Sequence, residues 1–310
     1  MISRRNIRVK VVQRLYVMEL EDSQLDIQKA NRILKQEFDK TFELFTYLIH
    51  WIFEIALYAE EDARHRASKN LPSYEDLHVN TKIAGNELLW KIKQIPSYEL
   101  AISHFQPHLK TDRELLRKLY IQLTQSGEYQ KYISEQQRTA SEERAILEYI
   151  FEQILLPHPL FNSAVEDLFS NWDDDGEMLV QLVAAFLQKQ KGFDLMDLLG
   201  AEKWDYARQL LRTAIEKKEV ALGWITPRLK NWDPDRIAQL DMIIMRLGVC
   251  ELLFFETIPA KVTINEYIDI AKDYSTQQSG QFVNGILDSI HKELVSSGNL
   301  QKIDFKKKVS

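Results

Sequence analysis

A chain of 310 residues has room for a large core and is long for one domain, so two folding units are the expectation. With 45% apolar and 28% charged residues, only 10 Gly and 8 Pro, and abundant Leu, Glu, Gln, Lys and Ala, the composition is that of an ordinary soluble protein and predicts an all-α fold. A net charge of −6 means that any nucleic-acid binding must come from a local patch, and the lone Cys250 excludes an intrachain disulfide framework.

The first eighteen residues hold Arg4, Arg5, Arg8, Lys10 and Arg14 and no acid. No unbroken apolar run succeeds them, so a signal peptide is not expected. Val11, Leu15 and Met18 make one helical stripe, and Val9, Val12 and Tyr16 cover another flank. This predicts a helix packed on two sides, with Arg4, Arg5 and Arg8 crowding its open end. Cations there oppose the helix dipole at ~0.3–1 kcal/mol each. The segment is either a frayed, solvated terminus or an arginine-rich arm that holds RNA phosphates.

Ile27 to Lys69 predicts one unusually long helix, nearly continuous in apolar side chains from Phe42 to Ala59. Glu43, His50 and Glu54 interrupt that run, which favours a buried core helix over a membrane span. Pro72, Pro96, Pro107, Pro157 and Pro159 punctuate the residues beyond it. Between them Leu77–Lys93, Tyr98–Phe105, Asp112–Gln125, Ser141–Leu156, Asn162–Trp172 and Glu177–Gln190 read as helices. His104 and His108 have metal-like spacing, but Pro107 lies between them and no third ligand is near. Asp173-Asp174-Asp175-Gly176-Glu177 lacks the alternating ligands of a calcium loop and reads as a solvated turn.

Between Tyr206 and Ile225, Leu210, Ala214, Ala221 and Ile225 lie close enough to one helical face to be buried together. Three more helices are expected from Trp232 to Leu294. Asp233-Pro234 starts the first, which is apolar around most of its girth and should bury Cys250. Ile258-Pro259 ends it, and Thr263-Ile264-Asn265-Glu266 fits a capping box for the second. Ser279 caps the third, through Phe282, Ile286, Ile290 and Leu294, with mid-helix Gly285 pointing to close helix approach and Asn284 bonding across it. Beyond Gly298 the lysine-bearing tail with Lys302, Lys306, Lys307 and Lys308 is expected to be mobile. No Gly-rich phosphate loop, His/Cys metal spacing or nucleophile elbow occurs, so no catalytic residue, metal or cofactor is expected and the chain does not read as an enzyme.

Pro259-Ala260-Lys261-Val262, Ile264-Asn265-Glu266, Ala271-Lys272 and Phe282-Val283-Asn284-Gly285-Ile286-Leu287-Asp288 come after Leu247 and Glu251-Leu252-Leu253 at close spacing. Together they resemble the C-terminal half of the NusB family of bacterial transcription antitermination factors. Arg4-Arg5-Asn6-Ile7-Arg8 with Val12-Gln13-Arg14-Leu15-Tyr16 is similar to that family's first helix, and the Tyr206 to Ile225 stretch to the helix preceding its C-terminal part. No such blocks are evident between about Glu21 and Phe193. The resemblance implies a NusB-like helical bundle from residues 1–22 and 194–297, a helical insertion at 23–193, and a mobile basic tail at 298–310.

The same resemblance implies a non-enzymatic, cytoplasmic role. The family pairs with the ribosomal protein NusE, binds boxA-type RNA and joins the RNA polymerase antitermination complex, chiefly during ribosomal RNA transcription, with no membrane involved. The matching RNA-binding positions are Arg4, Arg5, Arg8, Lys10, Tyr16, Gln278, Gln281 and Phe282, and Asp241 matches a partner-facing acidic position. Asn6 stands where a further arginine is common, Gln278 where an acid is frequent and Gln281 where a lysine often sits. Two alternatives are a protein–protein scaffold acting through the insertion, and a non-catalytic relative of the NusB-like domains fused to RNA methyltransferases.

Overall fold

A computed structural model describes residues 2–21, 26–229 and 237–303. Among them the chain is all-α. The helices are α1 (Arg4–Leu20), α2 (Ile27–Ala67), α3 (Tyr74–Leu77), α4 (Glu87–Lys93), α5 (Pro96–Phe105), α6 (Arg113–Thr124), α7 (Gly127–Ser134) and α8 (Ala140–Tyr149). After these come α9 (Pro159–Leu168), α10 (Trp172–Gln188), α11 (Ala201–Glu216), α12 (Lys218–Ile225), α13 (Gln239–Phe254), α14 (Ala260–Tyr274) and α15 (Gln277–Ser296). The chain divides into two compact units, residues 38–198 and residues 2–37 with 199 onward.

In the unit of residues 38–198 the apolar run of α2 is the core. Phe42, Phe45, Leu48, Ile49, Trp51, Ile52 and Ile55 are buried. Tyr47 meets Phe169 at 5.0 Å, Trp51 meets Phe161 at 5.4 Å and Phe53 stacks on Tyr98 at 4.9 Å between ring centres. By length and composition α2 could cross a membrane, but 78% of its apolar window is buried by the protein itself. The expected Leu77–Lys93 helix is broken, because Asn86 accepts from the N–H groups of Leu88 and Leu89 and starts α4 afresh. The helix expected from Ser141 to Leu156 is α8 continued by a π-helical turn at Ile150–Leu155. The expected Asn162–Trp172 helix is α9, which ends at Leu168, while Trp172 opens α10. The Asp173–Glu177 run is the first turn of α10, not a solvated turn. Asp175 is buried there and accepts from Thr41 Oγ1 at 2.6 Å and Asn171 Nδ2 at 2.8 Å.

In the other unit α13 is central, packed by α1, α11, α12, α14 and α15. Cys250 is buried on it, and burial raises its thiol pKa to about 12. The long helix expected through Tyr206 and Ile225 is two helices, α11 and α12, parted at Lys217. Leu210, Ala214, Ala221 and Ile225 are all buried. Asp233 and Pro234, the junction at Asp22 and Ser23, and Lys306 to Lys308 lie outside the described residues, but α13 begins only at Gln239, after non-helical Ile237 and Ala238, so it does not run on from Asp233-Pro234 as expected. The nearer part of the tail is docked. Lys302 Nζ donates to the carbonyls of Glu251 at 2.9 Å and Phe255 at 2.8 Å, and the Ile303 N–H donates to Glu256.

The helix starts expected around the C-terminal motifs also move. α14 begins directly after Pro259, and Thr263 instead donates its hydroxyl to buried Glu251. Thr276, not Ser279, caps α15 by accepting from the Ser279 N–H at 3.0 Å. Gly285 is exposed with nothing within 4 Å of a Cβ built there, and Asn284 is exposed beside it, so neither mediates a helix contact. Close approaches occur instead at Gly248, where a Cβ would lie 2.9 Å from Leu287 Cδ1 and 3.4 Å from Tyr267, and at Gly280, where it would lie 2.6 Å from Lys272 Cγ.

Candidate nucleic-acid interface

The basic start of α1 is built in two layers. Ser3 caps the helix by accepting from the Asn6 N–H at 3.2 Å. One turn on, Arg8 points inward and is only 1% exposed. Its Nε and Nη2 donate to the two oxygens of Glu251 at 2.9 and 2.8 Å, and Nη1 donates to Glu266 at 3.2 Å. Glu251 also accepts from Tyr206 at 2.7 Å, Thr263 at 2.8 Å and Tyr267 at 3.3 Å. Burial opposes both charges, but the paired hydrogen bonds and mutual attraction outweigh it. Arg8 is therefore held above its usual pKa and Glu251 below. This knot ties α1, α11, α13 and α14 together and corrects the expectation for Arg8, which is not presented to phosphates. Lys10, 3% exposed, is likewise turned inward.

The outer layer is different. Arg4 pairs with Glu202 at 3.1 Å and lies 5.6 Å from the Tyr206 ring centre, and Arg5 pairs with Asp273 on α14. These pairs are largely solvated, and such surface pairs contribute only ~0–1 kcal/mol, so a phosphate can displace either carboxylate at little cost. The Arg5–Asp273 pair brings the start of α1 to the C-terminal end of α14, directly before the α14–α15 turn. Gln278 and Gln281 are exposed there and Phe282 is half-buried, while Tyr16 is half-buried near the far end of α1. Lys203, which the sequence motifs do not single out, joins the outer layer by donating to the Ile2 carbonyl at 2.6 Å. Burial first, and then the nearby Arg4, lowers its pKa. Nothing in the local sequence of α11 marks it out, since its role depends on α1 packing against that helix.

Asp241 is not on the surface. It is 6% exposed in the first turn of α13 and accepts from Ser279 Oγ at 2.8 Å. Partner contact through its side chain is therefore not what the geometry offers. Helix-dipole attraction and the Ser279 hydroxyl both favour its inward position.

These features define an all-α protein in which a buried Arg–Glu knot presents two arginines beside a helix–turn–helix edge. The NusB family pattern matches residues 163–292. The Transcription antitermination protein NusB of Methylacidiphilum infernorum is 39% identical over 127 residues, covering 38% of this chain and 87% of that protein. The proteins of the same name from Salinibacter ruber and Chloroherpeton thalassium are 43% and 39% identical over 98 residues each. Each match covers 32% of this chain, and they cover 61% and 46% of those two proteins. No solved structure matches the chain. The chain belongs to the NusB family. The similarity begins in α9, 30 residues ahead of Phe193, in a stretch without evident family blocks.

Proposed function

We propose that this chain acts in transcription antitermination by binding boxA-type RNA together with the ribosomal protein NusE, as part of an RNA polymerase antitermination complex in ribosomal RNA transcription. The observation that carries this reading is the outer layer of α1. Arg4 and Arg5 sit at the surface in exchangeable ion pairs, and Asp273 links Arg5 to the turn that bears Gln278, Gln281 and Phe282. Charge distribution supports it. Residues 38–198 hold 16 Lys and Arg against 26 Asp and Glu, net −10, which leaves the rest of the chain 24 against 20, net +4. The RNA-facing unit is thus basic although the whole chain is acidic.

In this reading the unit of residues 2–37 with 199 onward is the RNA- and partner-binding core, and residues 38–198 form an additional helical unit reaching into the region of family similarity. The test is binding of a boxA-type RNA by the purified chain with and without NusE, over a range of salt. Tighter, salt-dependent binding in the presence of NusE supports the proposal, and RNA binding no different from that of an unrelated acidic protein sinks it. The acidic charge of residues 38–198 favours one second reading, a scaffold for a basic protein partner, which predicts partner capture that is unaffected by changing Arg4 and Arg5.

A further inference from the structure

We propose that Asp241 fixes the hydrogen-bond polarity of the α14–α15 turn, so that Ser275 and Thr276 meet RNA as acceptors and take hydrogen bonds from ribose 2′-hydroxyls. This rests on the RNA-binding reading above. Three hydroxyls converge at the start of α15. Ser279 Oγ lies 2.8 Å from Asp241 Oδ2, 3.0 Å from Ser275 Oγ and 2.9 Å from Thr276 Oγ1.

Ser279 Oγ donates to Asp241 Oδ2, so its single proton is committed to that carboxyl group. No hydrogen bond reaches Asp241 Oδ1 among the described residues, so Ser279 is the group that satisfies this buried side chain. Ser279 Oγ then has two lone pairs and no proton left. The protons of both Ser275 and Thr276 must therefore point inward to it. Thr276 Oγ1 also accepts the Ser279 N–H at 3.0 Å. What the Ser275 and Thr276 hydroxyls offer outward is lone pairs alone.

That polarity selects a ligand. With their protons turned inward, the Ser275 and Thr276 hydroxyls cannot donate to a phosphate oxygen, which only the backbone N–H groups at the start of α15 could hold, whereas a ribose 2′-hydroxyl can donate to them. Thr276 is exposed and Ser275 half-exposed, on the turn that Arg5 reaches through Asp273. Asp241 is thus a positioning residue, acting through Ser279 on the atoms that touch RNA.

The experiment compares one boxA-type RNA with DNA of the same sequence, using the wild-type chain and the variants Asp241→Ala, Ser279→Ala, Ser275→Ala and the double variant Asp241→Ala/Ser279→Ala. The expected result is a loss of RNA affinity of ~5-fold for each single variant, with DNA affinity unchanged. The double variant should lose no more than either single one, because both changes release the same two protons. Without RNA, nuclear magnetic resonance should detect a slowly exchanging Ser279 hydroxyl proton in the wild type that vanishes in Asp241→Ala. Absence of that protected proton in the wild type overturns the polarity assignment, whatever RNA does. Equal losses on RNA and DNA overturn the ribose contact, pointing to base amino groups if thermal stability is unchanged and to a merely structural role if it falls. A wild type that binds no RNA overturns the RNA reading and this contact with it, while the hydroxyl measurement still decides the polarity.

Discussion

The most informative single residue is Arg8, because three arginines in one basic segment have two different physical fates. Arg8 is a buried donor to a buried carboxylate, and removing one partner of such a pair leaves the other charged and unsatisfied, at ~3–5 kcal/mol. Arg8→Ala is therefore expected to lower the thermal midpoint strongly and to depress RNA binding only through unfolding. Arg4→Ala and Arg5→Ala should leave the midpoint within about 4 °C, since each loses a solvated pair. Together they should reduce the log–log salt slope of RNA binding by ~0.7 for each phosphate no longer engaged. Paired measurements of thermal denaturation and salt-dependent affinity test this. A well-folded Arg8→Ala protein with a flattened salt slope would return Arg8 to the RNA surface.

Among elements, α13 and α15 decide what their glycines are for. A methyl at Gly248 would drive into Leu287 and Tyr267, and overpacking of this kind costs ~1–3 kcal/mol. Gly285 has open space and sits inside an exposed helix, so Gly285→Ala should stabilise by ~0.4–1 kcal/mol. Chemical denaturation of the two variants should give shifts of opposite sign, and a destabilised Gly285→Ala would place a contact there after all.

The core helix α2 carries a pH signature of its own. Burial, and then the charge of His108, lowers the His50 pKa to about 4 from 6.5. Its Nε2 has no hydrogen-bond partner among the described residues, and Glu54 Oε1 stands 3.8 Å away. Between about pH 6.5 and 4 the unfolded chain therefore binds the extra proton and stability falls as pH drops, by up to ~3 kcal/mol. Glu54 works in the opposite direction, because burial raises its pKa and the folded state takes its proton sooner. In His50→Leu the acid-side loss of stability should be visibly smaller than in the wild type when thermal midpoints are measured from pH 7 to pH 4.5. Identical pH profiles would mean that His50 titrates normally.

The elements legible in the sequence are those that periodicity encodes. The long helix α2, the apolar body of α13, the buried Cys250 and the family motifs around Glu251 and Phe282 all rest on local patterns and stand where expected, whereas α13 starts at Gln239 and not at Asp233-Pro234. The features that the sequence hides depend on distant residues. Thr263 and Glu266 have the spacing of a capping box, but the structure spends both on Arg8 and Glu251. Asp241 and Ser279 are 38 positions apart, so no local reading could distinguish a surface acid from a buried acceptor. Arg8 differs from Arg5 only in the helix face it occupies, and that face was identifiable in principle, since it lies between Val11 and Val12 on the packed side.

At the scale of the whole molecule, the open boundary is where the unit of residues 38–198 stops. The sequence motifs place the end of the insertion at Phe193, and a fragment ending at Gln190 would accord with that. The packing argues for a later end. Phe193 stacks on Phe45 at 6.4 Å and meets Phe186 at 5.3 Å between ring centres. Leu195 and Leu198 are buried, and the unit extends to Leu198. Burying each of these side chains contributes ~1.5–3 kcal/mol, so cutting at Gln190 removes several kcal/mol from a domain whose total stability is typically ~5–15 kcal/mol. Two fragments beginning at Ile27, which keeps α2 whole, should therefore behave differently. The one ending at Leu198 is expected to be helical and to melt in a single cooperative transition, whereas the one ending at Gln190 should melt at a markedly lower temperature or bind hydrophobic dyes as a loosened state. Equal midpoints for the two fragments would show that residues 191–198 add nothing to this core. Aggregation of both would mean that residues 38–198 cannot fold without the remainder of the chain.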